Sequence, residues 1–438
     1  MRKDARSLAF LILCKFEKKP TRIDHIIYDA FGQYDVNIKY RPRTKVIVNE
    51  IVRLKSRLDT MIEYVSGRFK KNIEKKILNI LRIGFYEIII DDKVPDYAAV
   101  NSAVDIANYH LNKKGKGFVN AILRKMVLIK NDDCNWYIAL EKKSTWNSFP
   151  LWLQKRWREN IGEEKYIKML DYFNLPPTNY IRIDYPGETI EEVRKILLKD
   201  SINSKIFSPS FLEISKGFTK LLKSELFLNG NISIQNPASA AVVDCLGVGT
   251  GDTVLDVCAA PGTKSLYLSS LVGENGQILA SDINERRIDK SRNDIKRHGK
   301  SNIIWELKDA TKATYEMSDF ILIDAPCTGT GVIGRKPDIR WIREPDDIKK
   351  MSRLQLDILN NCSKFVRPNG TLVYATCSLE PEENWEVVEE FLKLNTEYSI
   401  DIIPSKIPKS WIDDRGALST MPFIHGVDGM FATKMVRS

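Results

Sequence analysis

Residues 253–283 read TVLDVCAAPGTKSLYLSSLVGENGQILASDI, and the fold turns on this stretch. TVLDV is a short, continuous apolar run, which predicts a strand buried on both faces. AAPG is a turn of small residues, KSLYLSSLV has helical length, and QILASD is a second buried strand. Strand, helix, strand is the βαβ unit of a parallel sheet. The pattern repeats downstream: a helix over NERRIDKSRNDIKRH, strands at NIIWELKD and DFILIDAP, a helix over DDIKKMSRLQLDILNNCSKFV, a strand at TLVYATCS and a helix over ENWEVVEEFLKL. Residues 229–438 are therefore expected to form a parallel, doubly wound, Rossmann-like α/β domain, with DGMFATKMV adding a final edge strand.

Ligands of open α/β sheets bind outside the carboxyl ends of the strands. The first such end is the loop Cys258, Ala259, Ala260, Pro261, Gly262, Thr263 and Lys264, whose small residues let backbone approach a ligand at a helix start. Asp282 ends the next strand, 20 residues after Gly262, where a carboxylate meets ribose hydroxyls. Asp309, after the third strand, is placed for an adenine amino group. A dinucleotide site would show G-x-G-x-x-G, and a P-loop would place Gly directly before Lys; this loop does neither. With no pyrophosphate to cradle, S-adenosylmethionine is the expected cofactor.

Two cysteines follow later strands, Cys327 in FILIDAPC and Cys377 in TLVYATCS. If those strands are neighbours they lie about 5 Å apart and both thiols enter one cleft. A thiolate is suited to attack an electron-poor ring carbon. Carbon 5 of cytosine is too weak a nucleophile to be methylated until a thiolate adds at carbon 6, and a carboxyl group near ring nitrogen 3, here Asp324, assists. The other cysteines, 14, 134, 245 and 362, read as small buried hydrophobes, and Cys258 as a contributor of backbone.

Seven scattered cysteines with no CxxC pair fit a reducing cytoplasm rather than a disulfide framework. Four unpaired histidines make a metal site unexpected. MRKDARSLAFLILCKFEKK looks superficially like a leader, but Asp4 and the short apolar run favour an amphipathic helix, and no run approaches the ~20 residues of a membrane span. Residues 1–130 carry 27 Lys+Arg against 14 Asp+Glu, whereas the remainder carries 40 against 43. All of the excess positive charge lies in the first third, which points to a polyanionic partner. That third has helical periodicity, as in VIVNEIVRLKSRLDTMIEYV. Residues 131–228 change texture: four tryptophans expected to pack, a PP break at 176–177, then strand, helix and strand signals at NYIRID, TIEEVRKILLKD and FLEIS. They read as a small α+β, ferredoxin-like RNA-binding module.

Residues 94–125, VPDYAAVNSAVDIANYHLNKKGKGFVNAILRK, resemble the NusB family, a helical RNA-binding fold. DVCAAPGTK at 256–264, DAPCTGTGVIGRKPDIRW at 324–341 and YATCSLEPEEN at 374–384 resemble the Nop2/Sun RNA cytosine-C5 methyltransferases, and with the NusB-like domain ahead of them the bacterial RsmB group. QNPAS at 235–239 matches the family's lead-in, where QD is more usual. The resemblance implies Cys377 as nucleophile, Cys327 in product release, Asp324 near the base and the cofactor, and 16S ribosomal RNA as the substrate of a monomeric enzyme. DNA cytosine methyltransferases carry the nucleophile in the PC motif with an ENV motif elsewhere; here Thr328 follows Cys327 and ENV is absent. Amino-group methyltransferases place an aromatic residue after Asn/Asp-Pro-Pro, which DAPC lacks. A non-catalytic RNA-binding factor would not need the cofactor loop or either cysteine motif.

Overall fold

A computed structural model describes residues 4–34, 36–184 and 187–438. The chain divides into two units, Met1–Pro176 with Ile333–Arg343, and Pro177–Val332 with Glu344–Ser438.

In the first unit every regular element among the described residues is helical. Its first helix, Ala5–Lys18, starts where the Asp4 carboxylate accepts the Ser7 N–H at 2.8 Å and ends with Lys15 and Lys18 against the helix dipole. Leu8, Ala9, Ile12, Leu13 and Phe16 recur at helical spacing and are all buried in one core with Ile47, Leu58, Leu81 and Phe85. The helical unit extends beyond the composition shift at residue 130. Helices Leu151–Ile161 and Glu163–Asn174 stay with the helical unit, which ends at the Pro176–Pro177 pair. Of the four tryptophans, Trp136 and Trp157 are buried packing residues.

Segment 333–343 also belongs to the helical unit, although it lies between two strands of the other. The Arg340 guanidinium is buried and donates to the carbonyls of Arg53 at 2.9 Å and Phe173 at 2.6 Å and to Asn174 Oδ1 at 2.6 Å. It stacks on the Phe149 ring at 3.8 Å, and Trp341 Nε1 donates to the Val52 carbonyl at 2.7 Å.

The second unit holds two sheets. β1 (Asn179–Ile183), β2 (Asn203–Ser208), β3 (Phe211–Lys216) and β4 (Ile232–Ile234) form an antiparallel sheet in the order β2-β3-β1-β4. With the helix Ile190–Lys199 between β1 and β2, this is the split βαβ arrangement. The large sheet runs β10 (Tyr398–Ile400), β12 (Phe431–Arg437), β9 (Val366–Thr376), β8 (Ser318–Asp324), β5 (Thr253–Val257), β6 (Gln277–Asp282) and β7 (Ile303–Leu307), with β11 (Leu418–Ser419) paired to β12. β9 through β7 are parallel, and β12 runs antiparallel to both of its neighbours, β9 and β10. The sheet is thus mixed, and the C-terminal strand β12 is not at its edge, because the short β10 pairs outside it. Residues 370–376 of β9 are buried without alternation, as expected for a strand covered on both faces.

Candidate active site

The sequence-predicted residues converge at the carboxyl ends of five adjacent strands. Chain order reverses between β8 and β5, and the crevice at such a switch point is the usual ligand site.

The loop after β5 is tightly made. Cys258 has φ +60° and Gly262 φ +89°, both left-handed, and the Ala260–Pro261 bond is cis. A Cβ on Gly262 would press at 3.2 Å on Ser291 and Trp305, so only glycine fits. The amide of Ala259 donates to Ser281 O, Gly262 to Ala259 O, and Ala260 to Asp282 Oδ2 at 3.2 Å. The loop amides therefore hold its shape. The helix Thr263–Val272 that follows presents Thr263 and Lys264 in its first turn, where amides lack intrahelical acceptors.

Asp282 is buried at the end of β6 and also receives the Asn284 N–H at 2.9 Å and Arg287 at 3.2 Å. A carboxylate offers about four lone-pair positions, and Arg287 is half-exposed. Asp309 lies beyond β7 and accepts the amide and hydroxyl of Thr311, which hold its carboxyl below the usual range. A left-handed cradle flanked by one buried and one part-exposed carboxylate on consecutive strands fits the ribose and adenine of S-adenosylmethionine.

Lys264 does not face that cradle. Its ammonium lies 2.7 Å from Asp324 Oδ2, at the end of β8, and is largely buried. Burial alone would depress it, but Asp324 overrides this, and the ammonium is held above its ordinary pKa, with Cys377 adding to the effect. Asp256, one turn back in β5, is fully buried beneath; burial pushes its carboxyl up to about 7, against a bond from Ser265 Oγ at 2.6 Å.

β8 and β9 are parallel neighbours with Asp324 opposite Ala375. Cys327 and Cys377 consequently meet, with their sulfurs 3.2 Å apart. Contact with the Cys377 sulfur, then burial, raises the Cys327 thiol well above its usual pKa. Cys14, Cys245 and Cys362 are raised by burial; Cys134 is exposed rather than buried. The helix predicted over ENWEVVEEFLKL begins at Trp385, after a 3-10 turn at Pro381–Glu383.

Sequence comparison matches residues 243–436 to the family described as 16S rRNA methyltransferase RsmB/F, and residues 3–128 to the NusB family. The Bacillus subtilis (strain 168) protein named "Probable ribosomal RNA small subunit methyltransferase B" is 30% identical over 98% of both chains. The chain belongs to the RsmB/F methyltransferase family. Its cofactor is S-adenosylmethionine. Among solved structures, PH0851 superposes with a TM-score of 0.77 at 26% identity, covering 99% of this chain and 98% of that one. A methyltransferase homolog protein from Pyrococcus horikoshii gives 0.56 at 27% identity, over 69% and 97%.

Among the described residues no group of three or more His, Cys, Asp or Glu is placed to hold a metal, and no helix is long and apolar enough to cross a membrane. Two components escaped the sequence reading. The Lys264–Asp324 pair was visible only as two motif residues 60 apart, and the carboxylate of Glu383, inside EPEEN, carried no signal separating it from its neighbours Glu380 and Glu382.

Proposed function

We propose that this chain methylates carbon 5 of a cytosine in 16S ribosomal RNA, through a covalent adduct between Cys377 and carbon 6 of the ring. The observation that carries the reading is the pair of sulfurs in contact beside a buried lysine–aspartate pair, at the switch point of a methyltransferase sheet. When bound, S-adenosylmethionine supplies the electrophilic methyl group, and residues 258–263 with Asp282 and Asp309 would hold it.

Cys377, as thiolate, donates an electron pair to carbon 6, and the ring electrons move toward carbon 5 and nitrogen 3. The Lys264 ammonium sits where it favours the thiolate and, through Asp324, the charge that develops on the ring. Asp324 is the group for nitrogen 3 and the exocyclic amine. Cys327 keeps its proton, which suits it to handling protons in the resolving step rather than to attack. After methylation the carbon 5 proton leaves, its electron pair restores the ring double bond, and Cys377 is expelled. The basic helical domain, in a cytoplasmic monomer, docks the RNA backbone, and the target cytosine turns out into the cleft.

RNA containing 5-fluorocytosine tests this, because fluorine cannot leave as a proton does and the adduct is trapped. A protein–RNA crosslink mapping to Cys377 is expected, lost in Cys377→Ala. Crosslinking that persists in Cys377→Ala refutes the assignment of the nucleophile. With ordinary RNA, Cys327→Ala should accumulate the adduct; clean turnover by that variant removes the release role.

A further inference from the structure

The turns that carry the two thiols are joined by a carboxylate outside the methyl-transfer chemistry. Glu383 is fully buried. One of its oxygens accepts the backbone N–H of Thr328 at 2.8 Å and Gln355 Nε2 at 3.0 Å. The other accepts the hydroxyls of both Thr328 and Ser378. Thr328 is the residue after Cys327, and Ser378 is the residue after Cys377. Gln355 in turn donates to the carbonyl of Pro326, the residue before Cys327. The Glu383 backbone is fixed as well: its carbonyl accepts the Tyr374 hydroxyl at 2.6 Å, anchoring it to the interior of β9. Of the four donors on this one carboxylate, Thr328 and Gln355 hold the Cys327 turn and Ser378 holds the Cys377 turn. Neither turn is left free to move alone.

We propose that Glu383 is a positioning residue that sets the separation of the Cys327 and Cys377 sulfurs, and that this separation is what lets the second thiol act on the adduct made by the first. The consequence for catalysis rests on the cytosine-C5 reading; the positioning role does not. Burial raises the Glu383 carboxyl above its usual range, and the four donors oppose that rise.

The separation can be read without RNA or cofactor. In a glutathione buffer, two protein thiols pass two electrons and two protons to glutathione disulfide, giving two glutathione molecules and the Cys327–Cys377 disulfide. The equilibrium constant measures the effective concentration of one thiol at the other. In the full chain, Glu383→Ala should lower it roughly tenfold or more, the scale of losing one such anchoring bond. Glu383→Gln keeps the size and one acceptor oxygen, and its amide can donate to the rotatable hydroxyls, so it should recover most of the wild-type value. An unchanged constant in Glu383→Ala overturns the proposal. If that variant does not fold, Thr328→Val with Ser378→Ala removes the two hydroxyl anchors and leaves Glu383 in place; an unchanged constant there overturns it equally. Loss of 5-fluorocytosine crosslinking in wild-type protein would refute the methyltransfer reading while leaving the thiol equilibrium untouched.

Discussion

Asp256 should make the α/β unit less stable as pH rises through neutrality. The carboxyl group lies within β5 at 0% exposure, with one oxygen bonded to Ser265 and the other buried without a hydrogen-bond partner among the described residues. Burial pushes its pKa up, Asp324 and Asp282 add to the rise and Lys264 opposes it, with the result about 7 against an ordinary 3.8. Its folded value exceeds its unfolded one, so between pH ~4 and ~7 the native state holds a proton that the unfolded chain has released. The stabilisation is complete below pH ~4 and gone above ~7. At 1.36 kcal/mol per pH unit the full span is worth about 4 kcal/mol, of which about 3 kcal/mol falls between pH 5 and pH 8. Asp256→Asn keeps an oxygen for Ser265 and cannot ionise. Hydrogen exchange followed by mass spectrometry on a peptide covering β5 reports the local opening free energy, and comparing wild type with variant at each pH cancels intrinsic exchange. The variant should gain about 3 kcal/mol on wild type from pH 5 to pH 8. A difference that stays flat over this range would mean Asp256 is ionised throughout, and that burial is not what governs it.

Three further outcomes follow from the geometry. Lys264→Gln removes the ammonium beside Asp324 and Cys377, and the rate of 5-fluorocytosine crosslinking should fall roughly hundredfold; an unchanged rate would disconnect the ion pair from the thiol. Arg340→Ala takes the buried guanidinium donor from the Arg53 carbonyl and Asn174 Oδ1 and leaves the Phe173 carbonyl with Arg53 alone, and thermal unfolding should show the helical unit losing about 3 kcal/mol or more. A wild-type melting curve would mean that water replaces the guanidinium at no cost. Neutralising the exposed Lys113, Lys114 and Lys116 should flatten the logarithmic salt dependence of ribosomal RNA binding by roughly 0.7 to 0.9 for each phosphate no longer neutralised, and an identical slope would place the RNA elsewhere.

Local patterning made the large sheet legible. β5, β6, β8 and β9 are each an apolar run ending in a turn, and parallel strands buried on both faces cannot hide that signal; β7, at the edge, has no buried residue. The pairing partners were harder. Nothing in YSI or DGMFATKMV says that β10 lies outside β12, because a three-residue strand has too few side chains to show a period. β2 was missed for a related reason: NSKIFS has no fully buried residue, so it shows no apolar run. Among site residues, those whose chemistry is intrinsic were readable: thiols, the glycine turn, and aspartates at strand ends. Residues defined by what they touch were not. Glu383 differs from Glu382 only in pointing inward, and Lys264 joins Asp324 only because β5 and β8 are neighbours.

Contact also decides how the motif DAPCTGTGVIGRKPDIRW should be understood. As a sequence it is one continuous signature of the chemistry. In the structure its first half, through Val332, carries Asp324 and Cys327 in the α/β unit, while Ile333–Arg343 packs in the helical unit around Arg340 and Trp341. A buried guanidinium with three well-placed acceptors is expensive to leave half-satisfied, so the second half is held as firmly as the first. The consequence concerns experiments as much as mechanism. Removing residues 1–130, the obvious way to test an RNA-docking domain, would also strip Arg53 from Arg340 and Val52 from Trp341, and leave partly uncovered a segment whose Ile333 end lies six residues from Cys327 in the chain. Lost activity in such a truncation would not distinguish lost docking from a disordered catalytic loop. Surface substitutions such as those at Lys113, Lys114 and Lys116 separate the two, because they change charge and leave the Arg340 contacts intact.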